Sequence, residues 1–287
     1  MKALDTLAAR YPGKRILITG ATSGMGEALA LQFAAAGFRV AVASRNPDKV
    51  AATCERVAAA GGEPLAITLD VTSAADFERG VASVEQAWSG LDLLVNNAGV
   101  LTAGKIDEVG LDVWEQSLNT DLWSVIHGCR IFVPLLQKSG GGHIANVASA
   151  AGLLAVPDAS TYAVAKAGVV SLSRALKVEL ADKNIDVTVS CPTVFKSHLL
   201  DNTGHEGDVV EGVTARGLAR DMSSTDVTSE DVAVHLIRAM AKRRMYSVPQ
   251  RDAKLQWWLA RSFPQTFEKF VLYMYRHRLW VFNDSGS

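Results

Sequence analysis

The chain has 287 residues, and 48% of them are apolar, so it is long enough for one large α/β domain with a substantial core. Its 29 Lys and Arg side chains nearly balance 30 Asp and Glu side chains, which excludes the strongly basic character of a nucleic-acid-binding protein. Three widely spaced cysteines without a CxxC pair favour reduced thiols and predict neither a disulfide framework nor a metal site.

Short apolar runs alternate along the chain with longer segments of helical periodicity. Strands are predicted at 15–19, 40–43, 65–69, 91–95, 143–147, 186–190 and 245–248. Helices are predicted at 27–36, 48–60, 74–88, 113–138 and 161–180. This alternation is typical of βαβ units, so we expect an α/β fold: a Rossmann-type, doubly wound parallel sheet of about seven strands with helices on both faces. We assign this fold to one domain, residues 1–249.

Two segments depart from this alternation. Residues 193–228 are polar, rich in Gly and without a period, and we interpret them as a flexible lid over the substrate or, alternatively, as a disordered surface loop. Residues 250–287 form an aromatic and basic extension, with nine Lys and Arg against two acidic residues between 242 and 278. We favour packing of the extension on its own subunit or on a neighbouring subunit, where it would cover the substrate pocket. The alternative is a peripheral contact of 250–282 with an anionic membrane surface.

A Gly-rich turn, TGATSGMG at 19–26, joins the first predicted strand to the first helix. Backbone amides at a helix N-terminus bind a pyrophosphate when glycines allow close approach. The candidate binding residues are Gly20, Thr22, Ser23, Gly24, Met25 and Gly26. A tight turn without a ligand is the alternative, and the strand–turn–helix context disfavours it.

The end of the second strand carries Ser44 and Arg45, where an NAD-binding protein would hold a carboxylate on the ribose diol. A guanidinium pairs well with a 2′-phosphate, so these residues predict NADP(H) as the cofactor. Alternatively, Arg45 is a solvated charge beside a pocket that accepts either dinucleotide. Asp70, after the third strand, is either an acceptor for the adenine amino group or the N-cap of the next helix.

Tyr162 and Lys166 lie four residues apart on a predicted helix, so they share one face. A phenol with a pKa of about 10 exchanges protons slowly at neutral pH, and a nearby ammonium lowers that pKa. Ser149 ends a strand 13 residues before Tyr162 and is placed to polarise a substrate carbonyl oxygen. A Tyr–Lys pair alone is common on helices; its combination with Ser149 and the Gly-rich turn predicts hydride-transfer chemistry.

Together these residues resemble the short-chain dehydrogenase/reductase family in its one-domain form, over residues 15–249. The motifs that carry the resemblance, in family order and spacing, are TGATSGMG (19–26), LDVT (69–72), NNAG (96–99), Asn119, Ser149 and YAVAK (162–166). The resemblance implies that Tyr162 is the general acid/base, with Lys166 as its pKa-lowering and ribose-binding partner. It also implies that Asn119 holds a water in a proton relay behind Lys166.

The resemblance further implies several cofactor contacts. Asp70 and Val71 would flank the adenine, and the segment Asn97, Ala98 and Gly99 would line the adenine–ribose side. In this family a Ser–Arg pair such as 44–45 also marks NADP preference. One departure is Pro192-Thr193, where the family has Pro-Gly, and another is Ser197 in place of a threonine that binds the nicotinamide amide. We expect the site to survive with a shifted cofactor pose or substrate range.

The sequence thus predicts an NADP(H)-dependent oxidoreductase acting on a carbonyl or secondary alcohol of a bulky apolar small molecule. Two alternatives stay open: a 3-oxoacyl thioester reductase, and a non-catalytic dinucleotide-binding sensor, which the presence of Ser149, Tyr162 and Lys166 disfavours. We expect a homodimer or homotetramer. The first residues lack the apolar core of a signal peptide, and no run reaches the about 18 uncharged apolar residues that a membrane span needs. We therefore expect a cytoplasmic protein, and any membrane contact would be peripheral.

Overall fold

The computed structural model describes residues 2–196 and 213–279. Within them, seven strands form one parallel sheet with the order β3-β2-β1-β4-β5-β6-β7. The strands are β1 (Arg15–Thr19), β2 (Arg39–Ser44), β3 (Glu63–Thr68), β4 (Leu93–Asn96), β5 (Gly142–Val147), β6 (Ile185–Ser190) and β7 (Tyr246–Ser247). The predicted Rossmann-type sheet is confirmed, because each strand begins and ends within two residues of its predicted bounds.

Helices cover both faces of this sheet. In the described residues they are α1 (Lys2–Arg10), α2 (Gly24–Ala35), α3 (Pro47–Ala59), α4 (Ala74–Trp88), α5 (Leu111–Leu118), α6 (Ser124–Lys138), α7 (Ser160–Glu179), α8 (Val213–Ser224), α9 (Ser229–Ala241), α10 (Arg251–Ser262) and α11 (Pro264–Arg276). On one face, α1, α2, α3 and α9 bury residues such as Phe33 and Leu236. On the other, α4, α6 and α7 bury residues such as Phe77 and Phe132. Burial on both faces explains why the strands are almost uniformly apolar.

The strand order reverses direction at β1, which lies between β2 and β4. A crevice therefore opens at the carboxyl ends of β1 and β4, which is where open α/β sheets bind ligands. Thr19 holds the two strand ends together: its Oγ1 accepts hydrogen bonds from the backbone amides of Asn97 at 3.0 Å and Ala98 at 3.1 Å. The Gly-rich turn and the NNAG segment are thereby brought side by side.

The predicted helix over 113–138 is interrupted. A π-helical turn, Asn119–Trp123, separates α5 from α6. A π turn takes more residues per hydrogen-bonded ring than an α-helical turn, so it changes which side chains face the neighbouring helix. The π turn therefore brings a residue other than the predicted one to the candidate site.

The prediction of an irregular segment over 193–228 is wrong where α8 lies, at Val213–Ser224. Residues 197–212 lie outside the described residues. The following helix, α9, was not predicted, although its N-terminus carries a capping box in which Thr228 and Asp231 bond reciprocally. The short helix α1 was also missed; it packs through the buried Leu7.

Over its described residues the extension forms two helices, which separate where Phe263 precedes Pro264 at the start of α11. Packing on its own subunit is confirmed for α10, since Ala253 is buried and the Trp257 ring lies 4.7 Å from that of Tyr246. In α11 no residue is buried, but the hydroxyl of Tyr275 donates to Oδ1 of Asp158 at 3.0 Å and so joins this helix to its own subunit as well. No helix in the described part of the chain is both long and apolar enough to span a bilayer.

Candidate active site

Most of the predicted site residues line one cleft at the carboxyl ends of the strands. The cleft contains Gly20, Thr22, Ser23, Gly24, Met25, Ser44, Arg45, Asp70, Val71, Asn97, Ala98, Gly99, Ser149, Tyr162, Lys166, Pro192 and Thr193. Three predicted residues are not among them. Gly26 is buried beneath the turn, Asn119 is absent from the lining, and Ser197 lies outside the described residues.

The Gly-rich turn has the backbone that a pyrophosphate needs. Gly20 and Gly24 have φ of +63° and +53°, values that favour glycine. A Cβ on Gly26 would come within 2.2 Å of the carbonyl oxygen of Gly20, so this close packing also requires glycine. Ser23 is the N-cap of α2, but its side chain makes no capping hydrogen bond. The first backbone amides of α2 are therefore left for an anion at the cleft, and the residues fit a dinucleotide pyrophosphate.

A second cation lies beside Arg45 in the cleft. Lys49 stands in the first turn of α3, whose N-cap Asn46 accepts a hydrogen bond from the Lys49 amide at 2.9 Å. Both cations are exposed, and neither forms an ion pair within the described residues. The hydroxyl of Thr22 donates to Ser44 across the cleft at 3.2 Å. Lys49 was not selected from the sequence, although its spacing of four from Arg45 was available as a signal.

Asp70 does not cap α4, so that alternative is wrong. The N-cap is Ser73, whose side chain accepts from the amide of Asp76. The Oδ1 atom of Asp70 instead accepts from the amide and hydroxyl of Thr72, at 2.9 Å and 2.8 Å. This local turn holds Asp70 at the edge of the cleft beside Val71.

Asn97 fixes the turn from below. Its side-chain amide donates to the carbonyl oxygens of Thr19 and Gly20, at 3.0 Å and 3.1 Å. The preceding residue, Asn96, is buried and donates to Asn146 at 2.9 Å. The NNAG segment therefore ties the central strands together.

Ser149, Tyr162 and Lys166 converge at the far end of the cleft. The ammonium of Lys166 lies 5.4 Å from the centre of the Tyr162 ring, and both side chains are buried. The hydroxyl of Ser149 accepts from the amide of Ala151 at 3.2 Å. Burial raises the pKa of Tyr162, the Lys166 ammonium lowers it, the carboxylate of Asp121 raises it and a hydrogen bond with Ser149 lowers it, and the net pKa is raised. The lysine thus acts in the predicted direction, but the phenol keeps its proton at neutral pH.

The prediction that Asn119 lies behind Lys166 is corrected by the structure. Asn119 begins the π turn and forms no hydrogen bond with the lysine within the described residues; the carboxylate of Asp121 does, with Oδ1 3.1 Å from Lys166 Nζ. Two residues along a helix point in roughly opposite directions, so residues 119 and 121 cannot both face α7. The π turn puts Asp121 on that face, a placement that spacing along the sequence did not reveal.

The loop after β6 carries Pro192 and Thr193 into the cleft. Thr193 is not among the residues with positive φ, so threonine adopts this backbone without strain. Its amide donates to Oε1 of Gln250 at 3.1 Å, and Nε2 of Gln250 donates to the carbonyl of Val194 at 3.3 Å. Gln250 was not selected from the sequence, because its contact spans more than 50 residues.

Comparison with known proteins identifies the family. The model of the short chain dehydrogenase family matches residues 14–207. The 2,5-dichloro-2,5-cyclohexadiene-1,4-diol dehydrogenase of Sphingobium indicum is 33% identical over 186 residues, 65% of this chain and 74% of that protein. The D-beta-hydroxybutyrate dehydrogenase of Rhizobium meliloti is 30% identical over 231 residues, 79% of this chain and 90% of that protein.

Solved structures agree in fold. A short chain dehydrogenase/reductase from Burkholderia phymatum in complex with NAD has a TM-score of 0.81 at 28% identity, covering 88% of this chain and 94% of its own. An actinorhodin polyketide ketoreductase with NADPH has a TM-score of 0.69 at 30% identity, covering 81% and 94%. Fold, motifs and family match coincide, and the chain therefore belongs to the short-chain dehydrogenase/reductase family, whose members are oxidoreductases of alcohol and carbonyl groups that use a nicotinamide dinucleotide.

Proposed function

We propose that the protein is an NADP(H)-dependent oxidoreductase that interconverts a ketone or aldehyde and the corresponding alcohol. The observation that carries the proposal is the convergence of Ser149, Tyr162 and Lys166 in the same cleft as the Gly-rich turn and Arg45. When bound, the dinucleotide supplies or accepts the hydride. Tyr162 gives a proton to the substrate oxygen in reduction and takes it back in oxidation. Ser149 donates a hydrogen bond to that oxygen, and Lys166 stabilises the phenolate and holds a ribose hydroxyl.

The choice of NADP over NAD rests on charge. Arg45 and Lys49 line the cleft, and neither has a carboxylate partner among the described residues; Ser44 stands where a carboxylate would select NAD. Two exposed cations at this position favour a 2′-phosphate through charge-assisted hydrogen bonds. Asp70, Val71 and the segment 97–99 would hold the adenosine part, and Pro192, Thr193 and Ser197 the nicotinamide.

A bulky apolar substrate is supported by the surroundings of Tyr162. Leu101, Ala151 and Val156 pack with Tyr162 as a small apolar cluster, and Phe195 lines the cleft. The residues 193–228 would cover the substrate as a lid, with 1–249 as the catalytic domain and 250–287 as an appended extension. The β-bridge between Lys196 and Thr228 brings the two ends of this segment together, as a lid requires.

We also propose that the protein is cytoplasmic and forms a homodimer or homotetramer. Exposed apolar side chains on α5 and α7, among them Leu111, Val164 and Val178, support such an interface. A peripheral membrane contact is proposed for α11. Phe270 and Tyr273 are more than half exposed there, and basic residues flank them.

The test measures the oxidation of NADPH and of NADH in the presence of each member of a panel of candidate substrates. We expect NADPH to be oxidised with bulky cyclic ketones, more slowly with a short-chain 3-oxoacyl thioester. The Arg45→Ala/Lys49→Ala variant should lose affinity for NADP by about 100-fold and little for NAD, since each charged hydrogen bond contributes about 1.5 kcal/mol or more. Arg174→Ala, an exposed cation far along α7, is the matched control. An equal loss of affinity for both dinucleotides would contradict the NADP assignment. Faster reduction of the thioester than of the ketones would favour a 3-oxoacyl thioester reductase.

A further inference from the structure

A buried ion pair lies at the centre of the proposed catalytic group. Oδ1 of Asp121 is 3.1 Å from Nζ of Lys166, and it also accepts the backbone amide of Val100 at 2.9 Å. The exposed fractions of the two side chains are 0% and 4%. Charges held this far from water interact strongly, because little solvent screens them.

The backbone closes tightly over the pair. A Cβ on Gly99 would come within 2.6 Å of Oδ1 of Asp121 and 3.0 Å of Nζ of Lys166. The NNAG segment therefore needs glycine here in order to cover the pair. Oδ2 of Asp121 is buried and has no hydrogen-bond partner within the described residues. A carboxylate oxygen left in this state is unfavourable for stability, which points to a role in the site.

The charge of Asp121 acts on Tyr162 with the sign opposite to that of Lys166. The titratable groups that face the tyrosine are Lys166 on its own helix, Asp121 on the π turn and Cys191 at the end of β6, with the Ser149 hydroxyl beside them. Burial raises the pKa of Tyr162, the ammonium lowers it, and the carboxylate raises it again. For Lys166, the lowering by burial is overcome by Asp121 and Tyr162, so its pKa is raised and it stays charged.

We propose that Asp121 is a positioning residue that cancels part of the field of Lys166 at Tyr162, so that the proton-donating form of Tyr162 persists to higher pH and alcohol oxidation begins at a higher pH than it would without this carboxylate. The inference rests on the proposed function. In reduction the hydride adds to the carbonyl carbon, the Tyr162 hydroxyl proton passes to the oxygen, and solvent then restores that proton. Oxidation reverses these steps and requires the phenolate.

The test is Asp121→Asn, which removes the charge and keeps the amide oxygen as an acceptor for Val100 and Lys166. We expect the rise of kcat/KM for alcohol oxidation with pH to move by about one pH unit or more toward acid. Reduction should correspondingly decline at a lower pH than in the unmodified chain. A lower kcat with an unmoved pH profile, or a profile moved toward alkali, would overturn the proposal in favour of a purely structural role.

A second readout separates this inference from the proposed function. The ultraviolet absorbance of the Tyr162 phenolate is titrated as the difference between each chain and its Tyr162→Phe counterpart, with and without Asp121→Asn. The same acid shift is expected, whether or not any substrate turns over. Should Asp121→Asn unfold, Asp121→Ser supplies a smaller neutral side chain for both measurements. An unchanged phenolate titration would mean that Asp121 carries no charge and would overturn the proposal.

Discussion

The backbone amide of Thr193 donates a hydrogen bond of 3.1 Å to the side-chain oxygen of Gln250, which joins the loop after β6 to the first residue of the C-terminal extension. The same side chain donates to the carbonyl of Val194. One glutamine side chain thus holds the backbone of this loop at two consecutive residues. The extension is therefore connected to the part of the cleft assigned to the nicotinamide.

We predict that Gln250→Ala loosens this loop. Two hydrogen bonds of about 1 kcal/mol each are lost, so kcat/KM for the dinucleotide should fall by roughly tenfold and the midpoint of thermal unfolding should fall by a few degrees. Steady-state kinetics with varied cofactor concentration measure the effect. Gln256→Ala, on the same helix α10, is the matched control and should leave the kinetics unchanged. Unaltered kinetics in Gln250→Ala would disconnect the extension from the site.

We predict that α11 binds anionic lipid. Phe270→Glu/Tyr273→Glu should abolish co-sedimentation with vesicles of phosphatidylcholine and phosphatidylserine, because an acidic face is repelled from anionic headgroups. Gln265→Glu adds an acidic residue elsewhere on the helix and should weaken binding only slightly. Failure of the unmodified chain to co-sediment with the vesicles would contradict this prediction. If the double variant also dissociates into monomers, α11 contacts a second subunit instead.

The ion pair between Arg15 and Asp92 is predicted to make a large contribution to the free energy of unfolding. Asp92 accepts from the amide of Arg15 at 2.9 Å and from its guanidinium twice at 3.0 Å, and both side chains are largely buried. Asp92→Ala leaves a buried guanidinium unpaired and should lower the free energy of unfolding by about 3 kcal/mol. Urea denaturation measures this. Glu108→Ala breaks an exposed pair with Lys105 and should leave the midpoint unchanged; an equal loss would refute the argument from burial.

A buried histidine predicts acid sensitivity. Burial lowers the pKa of His143 to about 3, and its Nε2 lies 2.8 Å from the hydroxyl of Thr188. In the unfolded chain the imidazole titrates near pH 6.5, so below that pH the unfolded state binds the extra proton and stability falls. Between pH 7 and pH 5 this contributes about 2 kcal/mol. The stability of His143→Gln should therefore depend less on pH, whereas the exposed His277→Gln should behave as the unmodified chain.

Much of the fold follows from the sequence because buried parallel strands are continuous apolar runs, as in RILIT at the first strand. The Gly-rich turn and the pair Tyr162 and Lys166 were also recognisable, since their chemistry depends on local spacing. Asp121 was not, because a π turn shifts which side chain faces α7 and the pattern of the sequence does not reveal that turn. Gln250 was not recognised for a different reason: its hydrogen-bond partners lie far from it in the sequence and come near it only in the folded protein.

The most direct test of the proposed chemistry is Tyr162→Phe, assayed by NADPH oxidation with the best ketone of the panel. Removing one hydroxyl should lower kcat by 100-fold or more, since general acid catalysis contributes about that much, while NADPH binding is retained. Tyr246→Phe, a half-buried tyrosine away from the cleft, is the control and should keep full activity. Turnover by Tyr162→Phe equal to that of the unmodified chain would contradict the assignment of Tyr162 as the proton donor.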